Sequence, residues 1–440
     1  MPQSILEAIA RCDPEEPLEP GDPRWVNFDA VRGIALQSRI GKLLSAAETA
    51  HKYEHIALAG HRGSGKSTEL NRVIDDALSR GYLTIYAGVT EAVDPNEISF
   101  GDVFLLMTRL LEDTFRKDAK LEPLPEKTVK SVHDWFRDIS HISEQEVERT
   151  VQYGGEAGLG IETPLAKLLF ALNVLRKSTS KRREEIRLAI EQYPQSLLDN
   201  LNLLLDDAYR ICKAAYPRGI LFVLDNVDRY APEIVSSAIL RNANLFNGAR
   251  AHTIFTVPIS LLYSPPADAV GDRLTPETLP MIPVFTREPR KPSEMVIDLL
   301  VTAIHRRVDP ALFADEGLAR DVASLSGGCP RDLLRLLKEA LLESDARIEA
   351  RSVERAAAIL RGEMSRRVTF AQFDLLARAH LDGRVDSNED GRALLFSRAV
   401  LEYDHERWAD VHPLLQDTEE FRRALELEKA RRMQAVAKSE

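Results

Sequence analysis

The chain has 440 residues, 44% of them apolar and 29% charged, which suits two or three globular domains and excludes disordered or fibrous classes. Its three cysteines, Cys12, Cys212 and Cys329, lie far apart, which argues against a disulfide framework or a cysteine zinc site and for a reducing compartment. A formal net charge of −11 gives no general attraction to nucleic acid and shifts the balance toward protein partners.

The opening MPQSILEAIARC predicts a short helix and lacks the basic and apolar blocks of a secretory signal. Apolar runs stay far below the length that spans a bilayer, so a soluble, cytoplasmic protein without membrane association is expected. Residues 12–24, rich in Pro and acid, read as an extended connector. Helical periodicity follows over 35–50 (Ile34, Leu36, Ile40, Leu43, Leu44). The run His55–Ala59 predicts a buried strand ending at Gly60, then a helix over Lys66–Ser79, a strand over Tyr82–Val89 and a helix over 99–117. Residues 118–218 differ. They read as a mainly helical insertion of about a hundred residues, with a polar helix at 131–148 and a hairpin at VQYGGEAGLGIE. The glycines of that hairpin have no following Lys-Ser/Thr and do not make a second phosphate loop.

The core resumes with a strand at 220–224, a helix at 232–246, a strand at 252–257 and a fifth strand at Met281–Phe285. Strands alternating with helices imply a parallel sheet covered on both faces. Residues 291–365 then read as an all-helical lid. The segment 366–440 reads as winged-helix-like, with a helix near 392–398, strands around Val400–Tyr403 and Trp408–Val411, and His412-Pro413 closing the wing. The domain reading is thus 1–24 helix and linker, 25–290 α/β core with the insertion at 118–218, 291–365 lid, and 366–440 winged helix.

Gly60-His61-Arg62-Gly63-Ser64-Gly65-Lys66-Ser67 follows the first strand and opens the next helix, which matches the Walker A phosphate loop in full. Glycines let successive N–H groups turn inward toward phosphate oxygens, and the helix N-terminus adds its positive dipole end. Lys66 is placed to bridge the outer phosphates, Ser67 to ligate magnesium, and Thr68 to reach the α-phosphate. Ile220-Leu221-Phe222-Val223-Leu224 ends in Asp225, the strand-end carboxylate expected on the magnesium. Asn226 follows it; an amide positions water but takes no proton. Asp228, two residues on, either supplies the carboxylate that acts on the attacking water in place of Asn226, or is an N-terminal helix charge or a partner of Arg229. His412 lacks a Ser, Cys or metal motif beside it and reads as structural.

The order of these motifs resembles the AAA+/STAND-related P-loop ATPases, in particular their initiator-like branch related to origin-recognition ATPases, over residues 25–420 apart from the insertion. The resemblance implies binding and slow hydrolysis of ATP with Mg²⁺. It implies a sensor 1 threonine in His252-Thr253-Ile254-Phe255-Thr256, Thr256 by position or else Thr253. It implies a sensor 2 arginine, Arg331, in Ser326-Gly327-Gly328-Cys329-Pro330-Arg331-Asp332. Arg273 matches the place of a finger acting across subunits, and Val31 and Ile34 that of adenine contacts. A homo-oligomeric or effector-coupled molecular switch follows from the likeness, with some bacterial relatives in antiphage defence. The alternatives are a DNA-binding initiator or loader that grips DNA with the winged helix, for which the charge of 366–440 is nearly balanced, and a nucleotide-binding scaffold without turnover.

Overall fold

A computed structural model describes residues 4–153, 163–177, 181–264 and 268–437. Five strands form a wholly parallel sheet: β1 (His55–Gly60), β2 (Leu83–Gly88), β3 (Ile220–Asp225), β4 (His252–Pro258) and β5 (Thr275–Leu279), in the order β2-β3-β4-β1-β5. The three inner strands are buried along their whole length, as parallel strands covered on both faces must be.

Period-two alternation sorts their side chains. Ile56 and Leu58 of β1, with Leu221 and Val223 of β3, pack under helices Leu36–Thr49 and Lys66–Arg80. Ala57, Ala59, Phe222 and Leu224 point the other way, into a larger core. There Phe246 lies 5.0 Å from both Phe104 and Phe255, ring centre to ring centre. The insertion supplies much of that second core: Val132, Phe136, Leu168, Leu172, Leu201 and Leu205 are continuous with the sheet residues. It is therefore a layer of the sheet domain and no separate lobe.

Residues beyond the sheet gather around another core. Helices Glu294–His305, Gly317–Leu325, Pro330–Leu342 and Ala350–Ser365 share it with Phe370–Asp382, with the hairpin β6 (Val400–Glu402) and β7 (Ala409–Val411), and with Ala8 and Cys12 of the N-terminus. Among the described residues no helix is long and apolar enough to cross a membrane, and no group of His, Cys, Asp or Glu is arranged to hold a metal.

Four expectations need correction. The fifth strand is Thr275–Leu279 and not Met281–Phe285. Pro280 and Pro283 deprive the later run of ladder donors, and Met281 N–H instead donates to Glu402 O at 3.0 Å. Pro276 is tolerated because β5 is an edge strand. The helix read at 131–148 is two, Glu126–Ser140 and Glu144–Tyr153, broken at His141, whose φ is 49°. The hairpin begins wrongly, since Val151–Tyr153 are helical; its remainder, 154–162, lies outside the described residues. The helix at 232–246 is split into Pro232–Ala238, a 3₁₀ turn Leu240–Asn242, and Ala243–Asn247.

Candidate functional site

The carboxyl ends of β1, β3 and β4 bring Gly60, Asp225 and Thr256 to one edge of the sheet, the usual place for a ligand crevice in such folds. A cleft of about 1120 Å³, counting its open mouth, lies there. It is lined by the phosphate loop, Asp225, Asn226, Asp228 and Arg229, by the connector around Glu15–Leu18, and by Arg331 of the lid.

The loop is shaped for an anion. Gly63 and Gly65 have φ of 82° and 94°, conformations that side chains resist. A Cβ on Gly63 would also meet Arg331 Cβ at 2.6 Å, so the lid approaches the loop as closely as glycine permits. Arg331 N–H donates to Gly63 O at 3.2 Å, which ties the lid helix to the loop backbone.

Lys66 is buried, and its ammonium lies 2.8 Å from Asp228 Oδ2, with Gly60 O and His61 O at 3.0 and 2.8 Å. Burial alone would raise the Asp228 carboxyl; Lys66 first, then Arg62 and Arg229, hold it below its ordinary value. Thr256 Oγ1 accepts from Val227 N–H at 3.1 Å and donates to Asp228 Oδ1 at 3.3 Å. Thr253 sits at the far end of β4 and bonds His55 at 2.8 Å. Of the two threonines, Thr256 therefore belongs to the site. Asp225 is buried, accepting from Asn226 N–H and from Tyr86 O–H. Asn226 adopts a left-handed φ of 65°, which asparagine tolerates, and this turn swings Asp228 toward Lys66.

Ser67 lines the cleft beside Lys66, while Thr68 Oγ1 accepts Leu18 N–H from the connector at 3.1 Å. Arg331 Nη2 pairs with Glu15 at 2.9 Å, and the same carboxylate reaches Arg229 at 3.2 Å. Arg273 is exposed at the end of helix Asp268–Arg273, outside the cleft. Val31 and Ile34 do not line it either; the apolar wall comes from Trp25, Val26, Phe28, Leu300, Ala303 and Leu333. The connector was readable as extended chain. That it folds back over the cleft had no local signal.

Two loop side chains serve a different neighbour. His61 is wholly buried; its Nδ1–H donates to Leu395 O at 3.1 Å and its Nε2 accepts Glu402 N–H at 2.9 Å. Burial, with Lys66 nearby, pushes the imidazole down to about 3, so it stays neutral in this one tautomer. Arg62 stacks on Phe396, 4.3 Å from the ring centre, and donates to the carbonyls of Asp228 and Arg229. In the first turn of the lid helix, Asp332 is buried in an ion pair with Arg398 at 3.1 Å, with His412 Nε2 3.5 Å away. His412 is thus structural, as its sequence context indicated.

Glu402 gives a pH prediction. Burial raises its carboxyl from 4.5 to about 7, with Tyr263 O–H donating to it. A folded-state value above the unfolded one stabilises fully below pH 4.5, and that contribution fades as pH rises toward about 7. The thermal midpoint of the wild type relative to Glu402→Gln is therefore expected to fall across that window and then level off. A midpoint difference independent of pH would contradict this.

No protein-family model and no curated protein matches the chain. Solved structures similar to it include a Walker-type ATPase of Pyrococcus abyssi, at 13% identity and a TM-score of 0.44, covering 92% of this chain and 98% of that one. Others are Cdc6p of Pyrobaculum aerophilum (12%, TM-score 0.37, 92% and 99% covered) and the Aeropyrum pernix ORC1 protein in complex with DNA (14%, 0.39, 91% and 92%). At such identities and TM-scores the chemistry of the cleft rests on its own residues.

Proposed function

We propose that the chain binds ATP with magnesium in this cleft, hydrolyses it, and uses the nucleotide to hold or release its C-terminal segment. The observation that carries the reading is the double attachment of the phosphate loop: His61 and Arg62, adjacent to one another, are gripped by Leu395–Glu402. A loop that both wraps a triphosphate and anchors another segment couples the two by its own geometry, provided the nucleotide favours one arrangement.

The residues fit the chemistry. Positive-φ glycines and the unpartnered buried atoms Ser64 Oγ and Arg331 Nε suit a phosphate chain. Ser67 and Asp225 would hold magnesium, which supplies charge neutralisation on the outer phosphates. Lys66 exchanges Asp228 for phosphate oxygen. Asp228, aligned by Thr256, then accepts the proton of a water whose oxygen attacks the γ-phosphorus as the bond to ADP breaks. Asn226 orients that water. Arg331, carried by the lid, offsets the charge on the transferred group, and Arg273 of a neighbouring copy is the finger that the resemblance implies, its exposure being compatible with that role.

The C-terminal segment 366–440 acts as a winged helix whose helix Glu389–Ser397 meets the sheet domain at the turn Ile259–Tyr263 and stacks Phe396 on Arg62, with Leu394 and Leu395 buried in the core shared with the lid. Release of that face exposes it to a second copy or an effector protein, an antiphage effector being one instance that the resemblance implies. The Aeropyrum ORC1 structure holds DNA, and an initiator of that type is the second reading, in which the released helix meets duplex DNA. Limited proteolysis of the full chain with ATP, ADP and no nucleotide tests the coupling. Cleavage in 383–411 is expected to depend on nucleotide in the wild type and to become fast and nucleotide-independent in His61→Ala. Identical wild-type patterns in all three conditions would contradict it. Salt-dependent binding of duplex DNA in one nucleotide state alone would favour the initiator.

A further inference from the structure

Arg32 ends the short helix Asp29–Arg32 and is 5% exposed. Its Nη2 donates to Ser64 O at 2.6 Å and lies 3.9 Å from where a Cβ on Gly65 would stand. The guanidinium thus touches the phosphate loop immediately before Lys66 and lines the cleft. Its Nε is buried without a hydrogen-bond partner among the described residues. Glu69, the nearest source of negative charge, is taken by Arg72 at 2.7 Å.

This arrangement is costly by itself. A desolvated cation with no carboxylate in contact among the described residues loses hydration that a single carbonyl, Ser64 O, restores only in part. Of the other arginines lining the cleft, Arg24 pairs with Glu16 and Asp22, and Arg229 and Arg331 with Glu15, while Arg62 and Arg307 donate to backbone carbonyls. Arg32 instead faces a loop built for anions. Phe28, another residue of the cleft wall, lies 5.9 Å from its guanidinium carbon.

We infer that Arg32 is a nucleotide-binding residue whose guanidinium pairs with α- and β-phosphate oxygens, so that it recognises the diphosphate common to ATP and ADP. The division of labour follows: Lys66 and Arg331 read the terminal phosphate, and Arg32 secures the nucleotide in both states. The inference rests on the ATP reading above and gives a role to a residue between Val31 and Ile34 to which that reading assigned none.

The test is calorimetric titration of the full chain with MgATP and with MgADP, for wild type, Arg32→Met, Arg32→Lys and Arg331→Ala. A charge-assisted, partly buried pair predicts that Arg32→Met weakens both nucleotides by the same factor, about 10- to 100-fold, with Arg32→Lys recovering part of it. Arg331→Ala is expected to weaken ATP more than ADP. Without nucleotide, Arg32→Met should melt no lower than wild type, because it removes an unpaired buried charge. Unchanged affinities, a loss confined to ATP, or a lower melting point without nucleotide would each overturn the assignment. Failure of the wild type to bind either nucleotide would instead remove the ATP reading and the assignment together.

Discussion

Asp228→Asn is expected to lower ATP turnover by about 100- to 1000-fold while the protein still binds MgATP. The expectation comes from where the turn after β3 sends its side chains. Asn226, in the position where a carboxylate would be more useful, occupies the left-handed turn residue. Asp228 lies between Lys66 Nζ at 2.8 Å and Thr256 Oγ1 at 3.3 Å. It is the carboxylate beside both Lys66 and Thr256, ionised beside the ammonium, and its affinity for a proton rises once Lys66 turns to a phosphate oxygen. Asn preserves shape and one hydrogen bond but removes the base. Phosphate release at saturating MgATP measures the effect, and calorimetry on the same sample checks that binding persists. Turnover within about threefold of wild type would remove Asp228 as base.

Lys66→Ala is expected to abolish measurable nucleotide binding, a loss of at least about 100-fold, since a buried charge-assisted contact and the fold of the loop around it go together. It also leaves Asp228 buried beside no ammonium. Breaking one side of a buried pair typically costs about 3–5 kcal/mol, and here part of it is recovered if Asp228 takes up a proton, because burial is then no longer opposed by Lys66. The sign can be followed with pH. Asp228 in the wild type is depressed, so its contribution is present above the unfolded value of 3.8 and lost as pH falls through the folded one. In Lys66→Ala the largest opposing charge is gone and only Arg62 and Arg229 still counter burial, so the loss of stability on acidification should be smaller than in the wild type. The double variant Lys66→Ala/Asp228→Asn is expected to regain stability without regaining binding, as read by thermal melting and calorimetry.

Local patterns in the sequence carried the sheet and the heart of the cleft. Four of the five strands, the glycine loop, and the places of Asp225, Thr256 and Arg331 beside it could be read because each depends on neighbours within a few residues: an apolar run, a glycine pair, a Pro at a helix start. Met281–Phe285 misled for the same reason. It is apolar and buried, but two prolines and a seat against Glu402 exclude it from the ladder, and burial alone does not separate strand from packed coil. The residues missed are those brought in from far along the chain. Glu15 reaches Arg331 across more than 300 positions, His61 meets Glu402 across about as many, and Arg32 finds Ser64 across a strand and a helix. Such contacts leave no periodicity to detect. His61 and Arg62 sat inside the motif all along, at positions the phosphate chemistry leaves free to vary. Their use as anchors for the C-terminal segment is a property of the tertiary fold alone.

The most direct measurement is calorimetric titration of the folded full-length chain with MgATP. The account predicts saturable binding of one nucleotide per chain, with a dissociation constant of about 1–100 µM, lost in Lys66→Ala. A well-folded sample that shows no saturable heat with ATP up to millimolar concentration would contradict it.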